Sequence, residues 1–172
     1  MAIDQTNETL REFSLNEMVG DILLTLGPVI RKTGHFVVSE IPHDIRLQSY
    51  PGPVGQVLTN LINNALIHGL KDGTLGRITV TAGIQREGWI QLAVHDNGRG
   101  IAPENLARVF DPFFTTRLGH GGSGLGLNIV YNIVSQTLGG TIRVESVLGH
   151  GARFIIEMPV SAPKKADLQS TE

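Results

Sequence analysis

The sequence predicts a two-layer α/β sandwich in which helices cover one face of a single sheet. Three observations carry that expectation. Residues 54–68 form a strongly amphipathic helix, with Val54, Val57, Leu58, Leu61, Ile62 and Ala65 at helical spacing. Two strand pairs with tight connections follow: 77–85 with 89–95 around Glu87-Gly88, and 141–146 with 152–158 around Gly149-His150-Gly151. Between the pairs lies another helical stretch, 127–138, closed by Gly139-Gly140, a natural C-cap.

The remaining elements fit around this frame. The polar stretch 1–13 reads as a linker or frayed end. Ser14-Leu15-Asn16-Glu17 fits a capping box, so a helix is expected from Ser14 toward Lys32, with Pro28 placed to kink it. Residues 36–40 and 45–48 read as short strands joined through Pro42-His43-Asp44. A short helix is expected over 103–108, with Pro103 in its first turn, and a long loop over 110–126. The domain is placed at 14–160, and the polar stretch 161–172 reads as a disordered tail. No internal repeat is visible.

Composition bounds the function. At 172 residues with 41% hydrophobic and 17% charged side chains, the chain can build one domain with a real core. A net charge of −2 gives no electrostatic case for nucleic acid or an anionic membrane surface. The absence of cysteine excludes disulfides and thiolate metal sites and fits a reducing compartment. No apolar run is long enough to span a bilayer, and residues 1–10 are too polar for a signal peptide. These features are equally compatible with a segment of a longer, membrane-anchored protein.

The chemistry-bearing residues cluster in four places. Asp96-Asn97-Gly98-Arg99-Gly100-Ile101 follows a strand, and Gly121-Gly122-Ser123-Gly124-Leu125-Gly126-Leu127-Asn128 opens a helix. A carboxylate at a strand end can accept a base amino group, and a glycine-rich helix start can take phosphate. Taken singly, the first is more often just a turn and the second more often a flexible loop. Asn60, Asn64 and His68 stack on one stripe of the amphipathic helix, although Asn is a poor helix former. An amide oxygen suits Mg²⁺, which prefers hard oxygen ligands shared with phosphates. Phe110-Asp111-Pro112-Phe113-Phe114 places three phenylalanines within five loop residues, either as a plug or as the hinge of a lid. Gly119-His120-Gly121-Gly122-Ser123-Gly124 matches a dinucleotide fingerprint by spacing, but it follows a loop rather than a strand, and no P-loop arrangement is present.

Together these residues resemble the catalytic domains of sensor histidine kinases. Asn60-Leu61-Ile62-Asn63-Asn64-Ala65 resembles their N box, and Asp96 to Ile101 their first glycine box. Phe110 to Phe114 resembles the F box, and Gly122-Ser123-Gly124-Leu125-Gly126-Leu127 the second glycine box. Order and spacing agree over residues 14–159. The resemblance implies the GHKL ATP-binding fold: a mixed, mostly antiparallel sheet, three helices and a mobile ATP lid, with ATP and Mg²⁺ as cofactors. By position, Asp96 would accept the adenine amino group, with Gly98, Gly100 and Ile101 against the base. Asn64 would hold Mg²⁺, while Asn60 and His68 would support the nucleotide. Gly122, Ser123, Gly124, Leu125, Gly126 and Leu127 would cradle phosphate. Arg108 would be the lid cation for the transferring phosphoryl, making Asn60, Asn64 and Arg108 the catalytic set.

Two positions depart from the family pattern. Where a basic residue is common in the N box this chain has Ile67, so a phosphate contact would be missing or come from Arg117. Gly151-Ala152 stands where Gly-Thr is usual, which would remove a water-linked adenine contact. ATP-hydrolysing members of the group resemble one another in a glutamate at the place of Asn60. An amide is a poor general base, so transfer to a protein is expected rather than hydrolysis. None of the six histidines lies in an acceptor helix, so the chain reads as a catalytic domain of a longer sensor. The implied partners are the dimerisation and phosphoacceptor domain of the same parent protein and a downstream response regulator. Nucleic acid and direct membrane contact are not expected, and cytoplasmic residence is. The rivals are an anti-sigma-type serine kinase of the same fold and a non-catalytic ATP-binding module. The F box and long lid oppose the first, and intact Asn64 and Asp96 the second.

Overall fold

A computed structural model describes residues 9–70, 75–114 and 126–164. The central sheet has five strands in the order β2-β4-β5-β7-β6: β2 (Phe36–Glu40), β4 (Arg77–Arg86), β5 (Trp89–Asp96), β7 (Ala152–Pro159) and β6 (Thr141–Ser146). Only β2 and β4 run parallel, with Phe36 opposite Arg77; the other pairs are antiparallel. The expected mixed sheet is therefore present. The parallel pair follows from the long crossover between β2 and β4, which contains β3 (Arg46–Ser49) and helix α3 (Pro51–Asn64).

Three long helices, α1 (Leu15–Thr25), α3 and α5 (Gly126–Gln136), share one core with the sheet. Leu15 and Val19 of α1, Leu58 and Leu61 of α3, and Val130 and Val134 of α5 join Ile78 and Val80 of β4, Leu92 and Val94 of β5, and Phe154 and Ile156 of β7. The period of two along each strand puts Thr79, Thr81, Gln91, Arg143 and Glu157 on the opposite face. There Arg143 Nη1 and Gln85 Nε2 both donate to Glu157 Oε1, at 2.8 and 3.3 Å. Ala93 and Ile155 pair in register on that outer face and are buried without joining the main core.

Several expectations are corrected. Residues 11–13 are not a frayed end: Arg11–Ser14 is strand β1, antiparallel to β3, with Glu12 ion-paired to Arg46 at 2.7 Å. Four residues with one buried side chain, Ser14, carry too little periodicity to announce a strand, and the pairing is supplied by a partner distant in sequence. The N-cap bond of the expected capping box forms, with the Glu17 N–H donating to Ser14 Oγ at 3.2 Å. The helix it starts does not continue to Lys32 but stops at Thr25; a second, α2 (Gly27–Thr33), begins with Pro28 in its first turn. Proline lacks the N–H that would continue a helix but suits a new one. Helix α4 is shorter than expected, only Pro103–Leu106.

Residues 161–164 are also ordered structure rather than tail. Ser161 bridges to Gln48, the Ala162 N–H donates to the Gln48 carbonyl at 2.8 Å, and the Tyr50 hydroxyl donates to the Pro163 carbonyl at 3.0 Å. The expected tail beyond 164 lies outside the described residues.

Candidate functional site

A cavity of about 380 Å³ opens between α3, the C-terminal end of β5 and the start of α5. Its size suits a small-molecule ligand. A second hollow of about 530 Å³ between β1, α1 and α3 is larger, but its rim of Glu12, Glu17 and Asp21 against the single cation Arg46, itself paired to Glu12, is net negative and disfavours polyanions. Only the first gathers the predicted residues.

One end is organised by Asp96. Strand β5 delivers the carboxylate into the interior, where the residue is 3% exposed. Burial pushes its carboxyl above the ordinary value near 3.8, and the backbone N–H groups of Gly98 and Ala152, followed by the charge of His95, partly oppose the shift. The Gly98 N–H donates to Oδ1 at 2.9 Å. Glycine is required around this group by close approach. A Cβ on Gly69 would lie 2.7 Å from Asp96 Oδ2, and one on Gly98 would lie 1.7 Å from the Gly69 carbonyl oxygen. A buried carboxylate with spare acceptor capacity is unfavourable until a donor arrives, and an exocyclic amino group supplies one.

The other end is built from α3 and α5. Asn60, Asn64 and His68 all line the cavity, as the helical stripe predicted. Asn60 Nδ2 donates to the carbonyl of Gly126, the first residue of α5, at 3.3 Å, and Asn60 Oδ1 accepts from Gln56 at 2.9 Å. The Asn64 amide makes no side-chain hydrogen bond among the described residues. The helix does not end as a regular α-turn. Residues Ala65–Gly69 form a π turn in which the Leu70 N–H reaches the Ala65 carbonyl at 3.0 Å. Such turns occur often at functional sites.

Of the other predicted residues, Gly100, Ile101, Gly126 and Leu127 line the cavity, and Gly98 acts through its N–H to Asp96. Arg108 does not line it: the guanidinium lies 4.8 Å from the centre of the Phe114 ring. Arg117, Gly122, Ser123, Gly124 and Leu125 lie outside the described residues, as does most of the expected lid. The phenylalanines divide. Phe110 is a plug, 5.6 Å from Tyr131 and 6.1 Å from Phe154 between ring centres. Phe114 lines the cavity, and Phe113 is 71% exposed with a φ of 64°.

Sequence reasoning missed Gly69, Arg99, Asn105, Val109 and Leu148, all lining the cavity. Gly69 left a signal as a glycine at the end of a polar-striped helix, and Arg99 by standing inside the Asp96–Ile101 motif, where it was given no role. The others come from segments brought in by the fold.

Comparison with known proteins fits this geometry. The profile of the histidine kinase-, DNA gyrase B-, and HSP90-like ATPase family matches residues 50–162. The sensor histidine kinase ZraS of Salmonella typhi is 45% identical over 117 residues, covering 68% of this chain and 24% of ZraS. The chain thus spans about a quarter of that relative's length. The solved catalytic domain of histidine kinase ThkA superposes with a TM-score of 0.76 at 32% identity, covering 88% of this chain and 95% of that one. ThkA has also been solved in complex with response regulator protein TrrA; there the TM-score is 0.72 at 30% identity, covering 87% of this chain and 41% of that one.

Proposed function

The chain belongs to the histidine kinase-, DNA gyrase B-, and HSP90-like ATPase family, with the fold of a histidine kinase catalytic domain, and on that premise we propose that it binds ATP with Mg²⁺ in the Asp96 cavity. We further propose that it transfers the γ-phosphoryl group to a histidine on the dimerisation domain of a longer two-component sensor, from which a response regulator takes it. A cytoplasmic location belongs to this reading; among the described residues no helix is long and apolar enough to cross a membrane.

One observation carries the proposal. A single cavity has a buried carboxylate in need of a donor at one end, and helix-borne amides beside a helix N-terminus at the other. That is the polarity of a nucleotide: a base with an amino group, then phosphate. Asp96 accepts from the base. The start of α5, held by Asn60, would present its first N–H groups to the phosphates.

The donor set fits Mg²⁺. No group of three or more His, Cys, Asp or Glu is placed to hold a metal among the described residues. Mg²⁺ commonly takes one or two protein oxygens, with phosphates and water completing its shell, and Asn64 offers such an oxygen. When bound, the ion would neutralise charge on the phosphates. Phosphoryl transfer needs mainly positioning and charge neutralisation, and Asn60 supplies no base to activate water. Arg108 remains the proposed cation for the transferring group, and Arg117 the proposed source of the phosphate contact that Ile67 does not supply.

The test is product chemistry. The chain alone should bind ATP, hydrolyse it slowly and not label itself. Given its dimerisation helices in trans, it should phosphorylate one histidine there, giving an acid-labile, base-stable product. An acid-stable phosphoserine would identify a serine kinase instead, and rapid hydrolysis an ATPase.

A further inference from the structure

We propose that Arg99 is a positioning residue for the metal and phosphate end of the cavity, acting as a cationic cap on the terminus of α3; the proposal rests on the nucleotide reading above. Arg99 lies in the turn after β5, yet most of its contacts go elsewhere. Its N–H donates to the Gly69 carbonyl at 2.8 Å, and its Nη2 donates to the Leu70 carbonyl at 3.2 Å. Its own carbonyl accepts from the Gly149 N–H at 2.6 Å. One residue therefore joins the end of α3, the Asp96 turn and the tip of the β6–β7 hairpin.

The end of α3 needs such a partner. A helix leaves its last carbonyls without intrahelical donors, and the π turn at Ala65–Gly69 widens that terminus. Arg99 supplies donors to two consecutive carbonyls there, and its charge sits at the negative end of the helix dipole. Among the described residues, the buried Arg99 Nε has no hydrogen-bond partner. A buried donor left unpaired is unfavourable and asks for a functional reason. Holding the turn that follows Asn64 and contains His68 supplies one.

Backbone and side chain act separately at this residue: the Arg99 N–H holds Gly69, which packs against Asp96, and the guanidinium holds Leu70. Asp96 is held by the N–H groups of Gly98 and Ala152, and neither involves the Arg99 side chain. A substitution at this position leaves the backbone bonds to Gly69 and Gly149 in place and removes the guanidinium contact with Leu70. Base binding should then survive while the contribution of Mg²⁺ falls.

Arg99→Met keeps the apolar stem and removes charge and donors. In the nucleotide-free chain, hydrogen exchange at the Leu70 amide should quicken about tenfold, because its bond to Ala65 loses its support. The amides of Ala93 and Ile155 in the sheet should not change. Calorimetry with adenosine should give an unchanged affinity. With a non-hydrolysable ATP analogue, the gain in affinity on adding Mg²⁺ should shrink about tenfold. Arg99→Lys, which keeps a charged donor, should restore most of both effects.

Unchanged Leu70 exchange in Arg99→Met overturns the cap, and if that variant does not fold, Arg99→Gln decides by the same measurement. Parallel losses of adenosine and analogue affinity overturn the positioning role, as does a lysine variant as weak as the methionine one. If the wild-type chain binds no analogue at all, the nucleotide reading fails, and the exchange arm still decides the cap.

Discussion

The two ends of the cavity are built from different materials. At the base end, Asp96 is fixed by backbone: N–H groups from Gly98 and Ala152, and glycines packed so close that a methyl group would collide with a carbonyl or with the carboxylate itself. At the phosphate end, the contacts come from side chains on helix surfaces, such as the 3.3 Å bond from Asn60 to Gly126. Backbone locked by such close packing barely moves, whereas half-exposed amides on helices can reorient. On the proposed nucleotide reading, the base end would therefore be a preformed recognition element, and the phosphate end a surface completed by its ligand. Substitutions should divide accordingly, into those that change which ligand binds and those that change what happens to it.

The largest effect is expected at the phosphate end. Asn64→Ala should lower phosphotransfer to an added acceptor domain by about 10²–10³-fold, the scale of losing one group that stabilises transition-state charge. The fold should survive, because Asn64 lies on the cavity stripe of α3 and outside the buried cluster of Val54, Val57, Leu58, Leu61 and Ile62. Normal transfer by this variant would show that the metal and phosphates lie elsewhere.

At the base end the effect falls on selectivity. Asp96→Asn should weaken ATP binding about tenfold to a hundredfold, since a hydrogen bond to a buried charged group contributes roughly 1.5–3 kcal/mol. GTP should be less affected, because guanine lacks the amino donor at that place. Calorimetry giving equal losses for both nucleotides would remove Asp96 from base recognition.

These two predictions rest on residues that were legible in the sequence for different reasons. Asp96 announced itself by position, a carboxylate closing an apolar strand. Asn60, Asn64 and His68 did so by spacing on one helix face. The sheet and its covering helices were legible from the same periodicities. What stayed hidden lacks a local pattern. Arg11–Ser14 is a strand only because β3 lies beside it. Residues 161–164 are ordered because Gln48 and Tyr50 take up their polar groups. Arg99 looked like one more turn residue, and its carbonyl partners belong to a helix end thirty residues earlier.

A smaller effect concerns pH and links the two properties of Asp96. Its carboxyl lies above the ordinary value in the folded state, with burial as the leading cause. A raised carboxyl contributes stability that is complete below the unfolded value near 3.8 and is lost as pH rises through the folded value. Over that window wild-type stability should therefore fall relative to Asp96→Asn, while ATP affinity should rise as the acceptor ionises. Paired denaturant titrations across the acidic range check the first half and calorimetry the second. Opposite slopes for the two quantities are the signature, and parallel slopes would contradict it.

The smallest effect tests whether the phosphate end is as dependent on side chains as the comparison holds. Asn60 touches α5 through one bond, 3.3 Å long and partly open to solvent. A neutral hydrogen bond of this kind contributes about 1 kcal/mol or less, so Asn60→Ala should cost at most about fivefold in affinity for an ATP analogue. Its role is distinct from that of Asn64: it holds the first residue of α5 in place, and its oxygen is already engaged by Gln56. Removing it should thus loosen the α5 start without removing a metal ligand, and the residual affinity should keep its full response to Mg²⁺. Hydrogen exchange should quicken near residues 126–128 and not in β5. If Asn60→Ala instead abolishes the Mg²⁺ response, the two asparagines share one task, and the helix stripe acts as a unit rather than as a ligand and a brace.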